Sequence, residues 1–182
     1  RDQFKPFIKI MQDRSIEHEL EIEEDYRKSK ENQKQRFFFP LNQETNFRIN
    51  KYFRTITKNK KKTIKTLNVK GRTFEIKNFY EGISRFNFKE LCDQNLGAED
   101  YLEIAKNCSF IVIENIPKFT DINSNQQLRF ITLLDIIYDK DIPIAVTASK
   151  NLDDFTSSRS LEEQFKRTTS RLYELTSKNY SL

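Results

Sequence analysis

Apolar residues recur along this chain with periods that predict a series of helices and strands. Phe4, Phe7, Ile8 and Ile10 open it, and 16–22 reads as a short strand that ends before Asp25-Tyr26-Arg27. Residues 28–36 are polar and read as a loop. Pro40 follows Phe37-Phe38-Phe39, and a helix is predicted from near Asn42. Asn42 suits its N-cap, and Ile49, Phe53 and Ile56 share one face at i, i+4, i+7. Arg48, Lys51, Arg54 and Lys58 populate the other side, and the Lys-rich run 58–62 is expected to end it. Two runs of period two, 66–69 and 73–76, flank Lys70-Gly71-Arg72 and predict a β-hairpin.

The second half alternates strand and helix. An extended segment, 83–88, leads into Leu91-Cys92, and a helix is expected at 98–106 with Tyr101, Ile104 and Ala105 inward. Phe110-Ile111-Val112-Ile113 is a continuous apolar run stopped by Pro117, the pattern of a strand buried on both faces. Residues 125–139 predict an amphipathic helix with Leu128, Ile131, Leu134 and Ile137 or Tyr138 on its apolar face, and 142–146 a second buried strand. Strand, helix, strand at this spacing is by default a right-handed βαβ unit. A Ser- and Asp-rich loop, 149–159, precedes a closing helix at about 160–180. The fold class is α/β: a partly parallel sheet with a βαβ unit and a β-hairpin, and a basic helix in front.

Composition narrows the chemistry. The 182 residues have a mean hydropathy of −0.76, which leans toward disorder, but 16 Phe and 7 Tyr argue for a packed core. No apolar run approaches the roughly 20 residues of a membrane span. No signal or transit peptide is legible, since Asp2, Glu17, Glu19 and Glu21 interrupt the start. His18 is the only histidine, in an acidic stretch, so neither a His-rich metal site nor a Ser/His/Asp site is expected. Cys92 and Cys108 stand outside any C-x-x-C pair; zinc needs more ligands, and both read as buried, reduced thiols. No metal site is expected. The abundance of Lys, Ile and Asn and the scarcity of Gly are what AT-rich coding DNA produces, so a single Lys or Asn carries little meaning.

Charge is concentrated. Residues 45–74 hold ten cations and no acid, and the rest of the chain is net acidic. Within that segment Lys58, Lys60, Lys61, Lys62 and Lys65 form a candidate polyanion patch. Arg167 and Arg171, four apart on a predicted helix, share a face that suits a phosphate or a carboxylate; surface pairing with Glu163 or Glu174 is the plainer alternative. Glu114 ends an apolar strand, as the acid of a magnesium shell does in P-loop enzymes, but Asn115 stands where a catalytic Glu would be and cannot act as a base. A buried strand with a polar end accounts for both. Thr147 and Ser149 end the next strand, where α/β proteins place ligand contacts or simple caps. Gly71, Gly82 and Gly97 are isolated, so no phosphate loop can be built from them.

A series of short blocks resembles the ZapE family of AAA+-type ATPases, which includes the mitochondrial AFG-one-like ATPases. The blocks are Phe4-x-Pro6-Phe7-Ile8, Asp25-Tyr26-Arg27, Val69-x-Gly71-Arg72, Phe86-x-Phe88-x-x-Leu91-Cys92 and Leu96-Gly97-Ala98-x-Asp100-Tyr101. Asn115-Ile116-Pro117, Arg129-Phe130-Ile131-x-Leu133-x-Asp135-x-x-Tyr138-Asp139 and Arg167-Thr168-x-Ser170-Arg171-Leu172-x-Glu174 follow in order. The Lys-rich 58–65 and Leu175, where Met is common, depart from the pattern.

The resemblance implies that the parent protein binds ATP and Mg and hydrolyses ATP to remodel proteins in cell division or protein quality control. In the family, the P-loop, the Mg-binding acids and the first sensor precede the Pro-Phe-Ile block. The chain, which begins with Arg1 rather than Met, then reads as a C-terminal fragment, inactive on its own. Its expected divisions are 1–36 as the end of the ATPase core, 37–65 as a basic helical lid or linker, and 66–182 as a C-terminal α/β region. Arg1, three residues before Phe4, becomes a candidate arginine finger reaching a neighbour's nucleotide. The implied partners are the N-terminal ATPase half, further copies in a homo-oligomer, and cell-division or substrate proteins; nucleic acid is not expected. The implied location is the bacterial cytoplasm or the mitochondrial matrix side, with peripheral attachment to the inner membrane as an option. The alternative function is a polyanion-binding or partner-docking domain without enzymatic activity.

Overall fold

The apolar run at 110–113 lies in the interior of a six-stranded sheet, buried on both faces as its sequence predicts. The computed structural model describes residues 35–181. The chain divides into 1–35 and 36–182, and the fold below is that of the second unit. Its strands are β1 (Phe37–Phe38), β2 (Lys62–Val69), β3 (Arg72–Tyr80), β4 (Ile83–Asn87), β5 (Phe110–Ile116) and β6 (Ile144–Ala148). The spatial order is β1-β6-β5-β4-β3-β2. β1, β6, β5 and β4 run parallel, and β3 and β2 add an antiparallel hairpin. The α-helices of the described residues are α1 (Gln43–Ile56), α2 (Phe88–Cys92), α3 (Ala98–Asn107), α4 (Ser124–Asp139) and α5 (Glu162–Ser177).

Alternation along β5 sorts the two cores. Phe110 and Val112 join Phe38, Ile49, Phe53, Ile56, Ile83 and Ala145 beneath α1. Ile111 and Ile113 join Leu91, Tyr101, Phe130, Leu134 and Leu172 from α2 to α5 on the opposite face. Burying each such side chain contributes about 1.5–3 kcal/mol. The predicted cap forms: Asn42 is extended at φ −150°, and its side chain accepts the Thr45 N–H at 2.9 Å. At the hairpin turn Lys70 and Gly71 both adopt positive φ, at 46° and 78°, as a two-residue turn between twisted strands requires. Arg72, just past the turn, reaches both oxygens of the buried Asp100 at 3.1–3.2 Å and so ties the hairpin to α3.

The structure corrects or extends the sequence reading in four places. Helix α1 stops at Ile56, and Asn59 turns the chain at φ 66°, so Lys62 begins a strand rather than closing a helix. Pairing with β3 decides this, since Lys62 faces Tyr80 and Thr63 faces Phe79. Phe37–Phe38 and Lys62–Val69 belong to one sheet with the later strands, although 37–65 reads as a separate lid or linker. The extended segment expected at 83–88 and the helix expected at 98–106 form as β4 and α3, and their pairing makes a second parallel connection, β4-α2-α3-β5. On α4 Ile131, Leu134 and Ile137 face inward as expected, but Leu128 is 47% exposed and Gln127 is buried. The Gln127 amide is satisfied by the Ser157 hydroxyl at 2.7 Å and the Ser158 N–H at 2.9 Å.

Candidate functional site

The carboxyl ends of the parallel strands are where open α/β sheets bind ligands, and here they carry Asn87, Glu114, Asn115, Thr147 and Ser149. Arg85 on β4 donates from Nε to the Glu114 carboxylate of neighbouring β5 and from Nη2 to Asn50 Oδ1 of α1 at 2.7 Å. The guanidinium also lies 4.9 Å from the Phe53 ring centroid. Both charged side chains are largely covered, at 22% and 17% exposure. Glu114 is therefore committed to a cation that belongs to the fold. The Asn115 N–H, at φ 62°, donates to Thr147 Oγ1 at 2.8 Å, so that hydroxyl links β5 to β6. The Ser149 N–H is held by Ile116 O at 2.9 Å, while its Oγ is buried without a partner. A cavity of about 460 Å³ opens beside these ends, lined among others by Asn87, Lys89, Asp93, Asn115 and Gln126.

Removing one partner of a shielded charge-assisted pair strands the other, at about 2 kcal/mol. Arg85→Met is expected to lower unfolding stability by that amount in urea titration, and Glu114→Gln by somewhat less. The double variant is expected to lose less than the sum. Strictly additive losses would show that the two side chains are not coupled.

These residues do not fit a bound nucleoside triphosphate with magnesium. The β1–α1 connection is Phe39-Pro40-Leu41-Asn42, without glycine, and Pro40 has no N–H to offer a phosphate. The three glycines serve turns and a helix start: Gly71 in the hairpin, Gly82 at φ 92° between β3 and β4, and Gly97 at the N-cap of α3. Among the described residues no three His, Cys, Asp or Glu side chains cluster closely enough to hold a metal ion.

The other sequence candidates fall in separate places. Arg167 and Arg171 both face α4, where they converge on Asp135: Arg167 Nη2 reaches Oδ2 at 3.2 Å, and Arg171 pairs with Oδ1. The expected partners are engaged elsewhere, Glu163 by Lys166 at 2.8 Å and Glu174 by the Tyr138 hydroxyl at 2.9 Å. That bond to Glu174 raises the Tyr138 hydroxyl above its ordinary pKa. Arg171 also stacks 4.6 Å from the Tyr138 ring centroid, completing a clamp between α4 and α5.

Of the lysine patch, Lys60 pairs with Glu81 at 3.9 Å. The ammonium groups of Lys58, Lys61, Lys62 and Lys65 form no ion pair among the described residues, and the Lys61 backbone N–H bonds the same Glu81 at 3.3 Å. Cys92 and Cys108 are free and buried. Burial pushes the Cys92 thiol far above its usual range and the Cys108 thiol up to about 11, which leaves neither a ready nucleophile. Arg1, His18, the Phe4–Ile8 block and the strand expected at 16–22 lie outside the described residues. Sequence reasoning missed Arg85 and Asn50, because their partners meet only when β4, β5 and α1 assemble. No helix of the described residues is long and apolar enough to cross a membrane.

Comparison with known proteins adds the context that geometry lacks. A sequence profile of the AFG1-like ATPase family matches residues 1–182. Lactation elevated protein 1 homolog B of Danio rerio is 38% identical over 89 residues, 49% of this chain and 18% of that protein. Cell division protein ZapE of Escherichia coli K12 is 23% identical over 180 residues, 99% of this chain and 48% of that protein. The chain spans about half the length of ZapE and less of the zebrafish protein. No solved structure matches.

Proposed function

We propose a function on this premise: the chain belongs to the AFG1-like ATPase family. It is the C-terminal portion of an enzyme that couples ATP hydrolysis to protein remodelling, in cell division or in protein quality control. The observation that carries the reading is the family match across the whole chain, supported by an alignment that covers 99% of it but only 48% of ZapE. ATP and Mg are then held by the part of the parent protein that this chain does not contain, and the chain alone does not hydrolyse ATP. The absence of any glycine from the β1–α1 connection supports that division of labour. The described module supplies a rigid α/β body, and Arg1 supplies the finger to a neighbouring copy's nucleotide.

The test joins the chain to its ATPase half. Arg1→Ala is expected to leave ATP binding nearly intact and to lower kcat at least tenfold, since such fingers contribute about 10³–10⁵ in rate where they are used. Mixing that variant with a P-loop variant is expected to restore part of the turnover. Full turnover by the Arg1→Ala enzyme would remove Arg1 from the mechanism, and no ATPase activity in the joined protein would overturn the reading as a whole.

A further inference from the structure

The outer edge of the sheet carries a chemistry that the ATPase reading does not use. β2 ends the strand order, and among the described residues nothing pairs with its outer side. Its eight residues present a ladder of backbone groups roughly 27 Å long. A long open edge is a template for pairing with another chain, and lysines commonly blunt it; Lys62 and Lys65 stand on this one.

Three observations exceed blunting. Ile64, in the first half of the strand, is 62% exposed. The ammonium groups of Lys58, Lys61, Lys62 and Lys65 form no ion pair among the described residues, although the Lys61 backbone N–H bonds Glu81 at 3.3 Å, whereas Lys70 and Arg72 at the far end of the same hairpin are tied to Glu99 and Asp100. The sequence places no acid anywhere in 45–74. The edge is thus an open hydrogen-bonding ladder with an exposed apolar side chain in its first half, between cations that form no ion pair.

We propose that β2 takes an acidic, extended segment of a protein partner as a seventh strand. The partner's carboxylates would lie against Lys61 and Lys65 on one face of the strand, and its apolar side chains on the other face, against Ile64. Backbone pairing supplies affinity in such strand addition, and alternate side chains supply specificity. Phosphates of a nucleic acid or a lipid surface would use the cations but neither the ladder nor Ile64.

The experiment is fluorescence anisotropy of a labelled eight-residue peptide alternating Glu and Val, titrated with the 182-residue chain. Saturable binding is expected, weakened at least tenfold by replacing Lys61 and Lys65 with Ser. Ile64→Ser, which leaves the charge unchanged, is expected to weaken it several-fold. Methylating alternate amides of the peptide, in either register, removes ladder donors without altering its charge. One of the two methylated peptides is expected to lose binding against the unaltered protein, whatever the variants do to folding. The proposal is overturned if the peptide does not bind or if both methylated peptides bind like the parent. It is equally overturned if single-stranded DNA or phosphatidylglycerol vesicles bind more tightly and compete the peptide off.

Discussion

Val112→Asp is expected to unfold the described module. Val112 has no exposed surface, lies at the middle of β5 and is flanked by Arg85 on β4 and Ala145 on β6. Its side chain packs with Phe110, Ile83, Ile49 and Phe53 beneath α1, and the Arg85 guanidinium lies at the edge of that cluster, over the Phe53 ring. A carboxylate there loses its hydration, and the one cation beside it, Arg85, is already engaged by Glu114 and Asn50, so the cost is several kcal/mol in addition to the lost Val contacts. The sum, at least about 4 kcal/mol, approaches the whole stability of an ordinary domain. Circular dichroism with urea titration reads the result. Val112→Thr, which buries only a hydroxyl, is expected to stay folded and lose about 1–2 kcal/mol. A Val112→Asp protein with a wild-type midpoint would show that β5 is not in the interior.

The second large effect belongs to Arg36, a buried cation that is 7% exposed. Its Nε donates to Ile144 O and its Nη2 to Leu175 O, both at 3.0 Å. Its own backbone N–H donates to Thr176 O at 2.8 Å, and its carbonyl accepts the Val146 N–H at 2.9 Å. Burial lowers the guanidinium's pKa, an effect partly offset by Tyr52. One side chain therefore ties the start of β1 to β6 and to the last turn of α5. Arg36→Leu leaves two carbonyls without a donor and is expected to cost about 3 kcal/mol. Arg36→Lys restores the charge but not the fork, and is expected to recover less than half of the loss. Hydrogen exchange of the Val146 amide should quicken in both variants. A Leu variant as stable as the parent would mean that these bonds do not matter.

What was legible in the sequence follows from where each signal resides. β5 and β6 announce themselves because strands buried on both faces are continuously apolar. α1 shows through the Asn42 cap and its apolar stripe, and the hairpin through Gly71. β1 is only two residues long, too short for any period, and exists because Phe37 and Phe38 pair with Val146 and Thr147. The first half of β2 reads as solvated lysines, and only its pairing with β3 makes it a strand. Gln127 is polar in sequence and interior in fact, since the loop at 157–158 supplies its partners. Ordered motifs pointed to the family, but the ties of Arg85, Asp135 and Arg36 join residues far apart in sequence and leave no local pattern.

The bonds of Arg36 also set an order of events during synthesis. Its two side-chain acceptors come 108 and 139 positions later in the chain. At about 5–20 residues per second, a ribosome needs roughly ten to thirty seconds to deliver both after Arg36 itself appears. For that interval Phe37, Phe38 and Phe39 have no strand to join, because β6 is made after every other strand of the sheet. The nascent chain thus carries three adjacent phenylalanines that wait for its own last third.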